Sequence, residues 1–146
     1  MINPHGGKLI DRELKGKEAE EARKKARTLK SLTLSSLEES DLEMIATGAL
    51  SPLEGFMGQA DFNSVLDRMH LVNGVAWSLP VVKGAAKEEV QSLKRGDEAA
   101  LKNEKGDFLA LLKVEEIFVI VGFGMYWSGQ QFHCSDYFTN APCFID

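Results

Sequence analysis

The sequence predicts an α+β domain, and three observations predict it. Short segments with helical apolar periodicity alternate with short apolar-polar strands, and no βαβ rhythm runs through them. Hydrophobic residues make up 44% and charged residues 27% of the 146 positions, the balance of an ordinary folded domain. The charge is also unevenly spread, so that one unit is set off from a tail of different composition.

The break falls after Phe118. The first 118 residues hold all 17 Lys and Arg and 20 of the 22 acids, whereas residues 119–146 hold only Asp136 and Asp146. An ordinary segment of that length carries about seven charges. The same 28 residues contain seven of the twelve aromatics and both cysteines. Residues 1–118 are therefore expected to contain the folded core, and 119–146 to form an unassigned, nearly uncharged tail that adds little to it. The apolar run 117–127 is about half the roughly 20 residues a membrane-crossing helix needs. No basic cluster flanks it to set an orientation, so no membrane partner is expected.

The elements follow in order. Residues 13–29 read as a surface helix, with acid-before-base pairs Glu20/Lys24 and Glu21/Lys25 at i,i+4 and a thin apolar stripe of Ala19, Ala22, Ala26 and Leu29. Residues 29–34 alternate as a strand. Two overlapping capping boxes, from Ser36 to Glu39 and from Ser40 to Glu43, can open a second helix carrying Leu42, Ile45 and Ala49. Gly48 is its natural stop, and Ser51-Pro52 enforces the break. Asp61 can cap a third helix with Phe62, Val65, Leu66 and Met69 on one face, ended by Asn73-Gly74. Residues 77–82 read as a short edge strand containing Pro80. A helix over 87–95 stops at Gly96. Strands at 98–102 and 107–118 flank the turn residues 103–106 and form a hairpin.

Function classes are bounded next. The net charge of −5 and pI near 5.3 make nucleic acid an unlikely partner. Two cysteines form no disulfide framework and no secretory signal opens the sequence, so a cytoplasmic location is expected. His5, His70 and His133 fall in three separate elements, and Cys134 and Cys143 lack the paired spacing of structural zinc. Gly122 and Gly124 follow an apolar run without a third glycine at fingerprint spacing. His5-Gly6-Gly7-Lys8 reads either as an anion contact or as a flexible lead into the first strand. Arg23, Lys24, Lys25 and Arg27 read either as a phosphate patch or as a solvated helix face. No nucleophile elbow and no electropositive cysteine occurs. An enzyme built on His133, Cys134 and Asp136 remains a rival with little behind it.

One stretch is far more specific. Asp41, Leu42, Glu43, Met44, Ile45, Ala46, Thr47, Gly48 and Ala49 lead into Ser51, Pro52 and Leu53, then Gly55, Phe56 and Met57. Asp61, Phe62, Val65, Leu66, Met69, Leu71, Asn73, Gly74, Trp77, Leu79, Pro80 and Val81 continue in order. This run closely resembles the N-terminal domain of ATP sulfurylase (sulfate adenylyltransferase). The opening Pro4, His5, Gly6, Gly7, Lys8 and Leu9 is similar to that family's start, and the segment from Lys87 through Gly96 and Gly106 to Glu116 to the end of the same domain. The resemblance implies a PUA-like pseudo-barrel of short mixed strands and short helices over residues 1–118. In the residues themselves, the 51–57 loop reads as a scaffold piece, with Phe56 a core anchor.

The departures are equally informative. The family condenses ATP with sulfate, giving adenosine 5′-phosphosulfate and pyrophosphate. It uses a Gln-x-Arg-Asn strand end, a His-x-x-His and a Gly-Arg-Asp-His-Ala-Gly-type loop in a following α/β domain, and none of these motifs occurs in this sequence. Residues 130–133 do not match them, His70 stands where Arg is usual, and Phe62 where Tyr is common. The expectation is a scaffold domain of sulfate activation, truncated before the catalytic domain and inactive alone, with a tail of the kind a frameshift, a broken gene or an assembly artefact would leave. No catalytic, cofactor-binding or metal residue is assigned in this chain. The implied partner is a sulfurylase catalytic domain; the alternative is a stand-alone PUA-like module docking on RNA or on a separate catalytic chain.

Overall fold

The computed structural model describes residues 2–120 and 137–145. Its elements are helix α1 (Lys17–Ala26), strand β1 (Lys30–Thr33), helix α2 (Ser36–Ala46), β2 (Gly55–Phe56), α3 (Gln59–Arg68), β3 (Lys83–Ala85), α4 (Lys87–Val90), β4 (Glu98–Lys102), β5 (Phe108–Lys113), β6 (Glu116–Val119) and β7 (Tyr137–Ile145). A single 3-10 turn, His5–Gly7, precedes them. The fold is α+β, as the sequence predicts.

The sheet runs β1-β4-β5-β7-β2, with β3 and β6 also paired to β7. Among the described residues only β1 and β4 pair in parallel; the remaining pairings are antiparallel. The expected hairpin is present between β4 and β5, but its second strand stops at Lys113 rather than running to 118, and Glu116–Val119 forms a separate strand paired with β7. Asn103 closes the hairpin by accepting from the backbone N–H of Lys105 and Asp107 at 3.1 and 2.8 Å, and Gly106 supplies the positive φ of the turn. The main core joins β1, β4 and β5 to α2, α3 and the 51–57 loop through Leu32, Leu42, Ile45, Phe56, Val65, Leu101 and Leu112. A smaller cluster seats the alanine stripe of α1, Ala22 and Ala26, on Ala100 and Leu111.

Local readings at α2 and α3 need correction. The capping box of α2 sits one residue earlier than the first expected box and five earlier than the second. Ser35 is the N-cap; its hydroxyl accepts from the Glu38 N–H, while the Glu38 carboxylate accepts from the Ser35 N–H. Asp61 does not cap α3. Gly58 is the N-cap, the Gln59 N–H donates to the Glu116 carboxylate at 3.0 Å, and Asp61 instead accepts from the Val72 N–H. A carboxylate from a distant strand thus does what a local side chain was expected to do, a substitution invisible to local pattern. Of the expected α3 face, Phe62 and Val65 are buried, but Leu66 and Met69 are exposed. The helix ends at Met69, whose left-handed conformation turns the chain out.

The other ends move as well. Residues 77–82 form no strand; Trp77 bonds back to Met69, and pairing begins only at Lys83. The helix expected over 87–95 is one turn long. Helix α1 starts at Lys17 rather than near 13. The compositional break at 118 does not mark the end of the sheet. β7 takes β5 and β6 on one edge and β2 and β3 on the other. The expectation that 119–146 adds little to the fold is thereby corrected over Tyr137–Ile145. Charge patterning misses such a strand because its place is set by backbone pairing with strands distant in sequence.

Gly48 shows why its position takes glycine. Its φ is +82°, and a Cβ there would stand 2.3 Å from the Ile10 carbonyl oxygen. The expected stop of α2 is therefore also a point where the N-terminal segment passes close against the 48–51 turn.

Candidate functional site

The N-terminal segment, the 51–57 loop and the stretch around Trp77 meet on one face. The Gly7 N–H closes the His5–Gly7 turn onto the Pro4 carbonyl at 2.9 Å. Gly6, at φ +72°, lies so close to Pro52 that a Cβ would come 2.8 Å from its ring. The His5 ring faces Trp77 with centroids 6.0 Å apart. Its Nε2 donates to the Ala76 carbonyl at 2.7 Å, which fixes the proton on that nitrogen. The Trp77 indole N–H donates to the Leu79 carbonyl at 2.7 Å.

The loop beneath is anchored from the core side. The buried Ser51 hydroxyl donates to the Gly48 carbonyl at 2.6 Å and accepts from the Ile10 N–H at 3.0 Å. The Ser51-Pro52 peptide is cis. Phe56 and Met57 are fully buried, so the expected core anchor is one. Arg12 pairs with Glu54 at the rim.

The segment at His5 therefore packs against the 51–57 loop and Trp77, not loosely as a lead into the first strand. His70 is held elsewhere, its Nδ1 donating to the Arg68 carbonyl at 2.6 Å. Among the described residues, no group of three or more His, Cys, Asp or Glu is placed to hold a metal ion. His133, Cys134 and Asp136 lie outside the described residues, as do Gly122 and Gly124. Cys143 stands in β7, its backbone opposite Leu112.

The basic run on α1 divides. Lys25 pairs with Glu98 across a shallow cleft of about 280 Å³. Leu14, Ala22 and Leu111 contribute apolar lining, and Glu18, Glu21 and Lys113 stand around it with the pair. Charges of both signs alternate there, which gives neither a phosphate cradle nor a metal cage.

A buried ion pair went unread in the sequence. Lys83 is only 3% exposed, and its Nζ lies 3.4 Å from the Glu38 carboxylate. Glu38 also accepts from the Gly84 N–H at 2.7 Å and the Ser35 N–H at 2.8 Å. Lys83 Nζ donates in addition to the Gly84 carbonyl. The pair ties the start of α2 to β3. Burial, and secondarily the nearby Glu38 carboxylate, raises the pKa of half-buried Asp41 from the ordinary 3.8. A lysine inside the apolar run 81–85 was the available signal.

A family model described as a PUA-like domain matches residues 2–123. The chain belongs to the PUA-like domain family. It matches the N-terminal region of sulfate adenylyltransferases, as the motifs imply. The enzyme of that name from Symbiobacterium thermophilum is 48% identical over 118 residues, covering 81% of this chain and 30% of the relative. That from Entamoeba histolytica is 36% identical over 143 residues, covering 97% and 33%. A solved structure titled as a hexameric APS kinase from Thiobacillus denitrificans superposes with TM-score 0.79 at 26% identity, covering 99% of this chain and 26% of that one. The chain thus spans about a third of the length of these relatives. Among the described residues, no helix is long and apolar enough to cross a membrane.

Proposed function

We propose that this chain is the scaffold domain of a sulfate adenylyltransferase system, working in the cytoplasm beside a catalytic portion that performs the chemistry. The observation that carries the reading is the match at 48% identity to only 30% of a sulfate adenylyltransferase. The arrangement of polar groups supports it. Joining ATP to sulfate brings two anions together, so the site needs converging cationic and N–H donors. In this domain Lys25, Lys83 and Arg12 are each committed to a carboxylate. His5 and His70 each commit one ring nitrogen to a carbonyl.

The test is sulfate-dependent pyrophosphate release from ATP by the purified chain. The expected result is no turnover above background. Turnover abolished by substitutions within this chain would overturn the scaffold reading.

A further inference from the structure

Asn73 and Gly74 follow α3 in an exposed turn and contribute nothing to the core. Their chemistry is distinctive all the same. An asparagine can rearrange when the backbone nitrogen of the next residue reaches its side-chain carbonyl carbon, and the chain has five asparagines to compare. Asn3 precedes Pro4, which has no N–H. Asn63 lies inside α3, where the backbone is held in helical hydrogen bonds. The amide of Asn103 is engaged at both ends: Oδ1 accepts from the Lys105 and Asp107 N–H groups, and Nδ2 donates to the Asp107 carboxylate at 3.2 Å. Asn140 stands in β7 with its backbone opposite Glu116. Asn73 alone precedes a glycine, and both residues are exposed. Gly74 has no Cβ to crowd its nitrogen, and no atom lies within 4 Å of where a Cβ would stand.

We propose that Asn73 is a self-modification site of this chain, with water as the co-reactant and the turn around it as the gate. The Gly74 nitrogen attacks Asn73 Cγ, and the new C–N bond closes a succinimide ring. The Cγ–Nδ2 bond breaks, and the proton lost by the Gly74 nitrogen leaves, through solvent, with the departing ammonia. Water then opens the ring at either carbonyl and leaves aspartate or isoaspartate at position 73. The closed turn opposes the attack. The Gly74 N–H donates to the Leu71 carbonyl at 2.9 Å, and Asn73 Oδ1 accepts from the Val75 N–H at 3.0 Å. The Leu71 N–H donates to the Val75 carbonyl at 2.8 Å, and the Val72 N–H to the Asp61 carboxylate at 2.8 Å, which ties the turn to α3. The reaction therefore runs through the opened turn. Its product matters to the fold because Leu71 is buried and Val75 and Trp77 pack against the main core. Isoaspartate lengthens the backbone by one carbon at this point and displaces the acceptor of the Val75 N–H, loosening the seam between α3 and Trp77.

The test incubates the full 146-residue chain in mildly alkaline buffer and follows each asparagine by peptide mapping with mass spectrometry, alongside released ammonia. Asn73 converts before the other four, and about tenfold faster in unfolding guanidinium chloride than in buffer, the scale set by opening the hydrogen bonds of the turn. Asp61→Ala frees the Val72 N–H and speeds conversion of Asn73 about fivefold while Asn103 stays as it was. Should that variant not fold, the unaltered chain in guanidinium chloride below its unfolding midpoint reads the same gate: conversion of Asn73 rises in step with hydrogen exchange of the Gly74 N–H. Asn73→Gln, whose longer side chain closes the ring poorly, removes the early ammonia. Earlier conversion of another asparagine overturns the site, as does intact Asn73 in buffer once the unfolded chain has fully converted. Equal rates in folded and unfolded chain, or a rate at Asn73 indifferent to Gly74 exchange, overturn the gate.

Discussion

Removing the Glu38 charge should cost far more than removing Lys83, although the two form one pair. The reason lies in what each partner keeps. Without Lys83, the Glu38 carboxylate still accepts from the Gly84 N–H, the Ser35 N–H and the Ser35 hydroxyl at 2.7, 2.8 and 3.0 Å. Without the carboxylate charge, Lys83 remains 3% exposed and is left among the described residues with the Gly84 carbonyl as its acceptor. An uncompensated buried charge costs about 3–5 kcal/mol, whereas replacing both partners of a buried pair by apolar groups of similar volume is often neutral. Glu38→Gln should therefore lose about 3–5 kcal/mol, and Lys83→Met clearly less, because the carboxylate keeps its three other donors. The double variant should recover most of the Glu38→Gln loss, because the stranded ammonium is gone. Urea unfolding of the four proteins closes the cycle, with a coupling of about 2 kcal/mol or more for this buried contact. Equal losses in the two single variants, or a coupling under about 0.5 kcal/mol, would refute the argument.

Further expectations concern the core, one backbone position and one acid. Phe56→Ala empties a site that is 1% exposed at the centre of the main core and should cost about 3–5 kcal/mol, seen as a lowered urea midpoint. Gly48→Ala combines a φ of +82° with a Cβ placed 2.3 Å from the Ile10 carbonyl oxygen. It should exceed the roughly 1–2 kcal/mol of left-handed strain alone, whereas Gly74→Ala, with open space around it, should stay near that value. Asp41 has a folded-state pKa above the ordinary 3.8, so ionisation penalises the folded state. That penalty is absent below the unfolded pKa and complete above the raised folded one. Asp41→Asn should accordingly stabilise the protein at pH 7, and the gain should disappear as pH falls below about 3.8, as followed by thermal melting across pH.

Sequence alone determined the α+β class, the alanine seam of α1, the 103–106 hairpin turn, the stop at Gly48 and the burial of Phe56. Each rests on a local pattern: a period, a turn residue or a motif whose members lie close in the chain. The PUA-like identity was also legible, because the motif from Asp41 to Val81 is long and ordered. Tertiary structure alone decided how the ends of elements are satisfied. The carboxylate of Glu116 reaches the start of α3 from 57 positions away, and Glu38 serves Gly84 from 46 positions away. No periodicity encodes such a reach, since the partner is set by which surfaces pack. The same holds for β7, whose two edges are occupied by four strands drawn from across the chain. It holds too for the face where His5 meets Trp77. Composition marked residues 119–146 as different because they lack charge, and only the tertiary pairing places the backbone of Tyr137–Ile145 in the sheet, since its partners are fixed by which strands come together and not by local pattern.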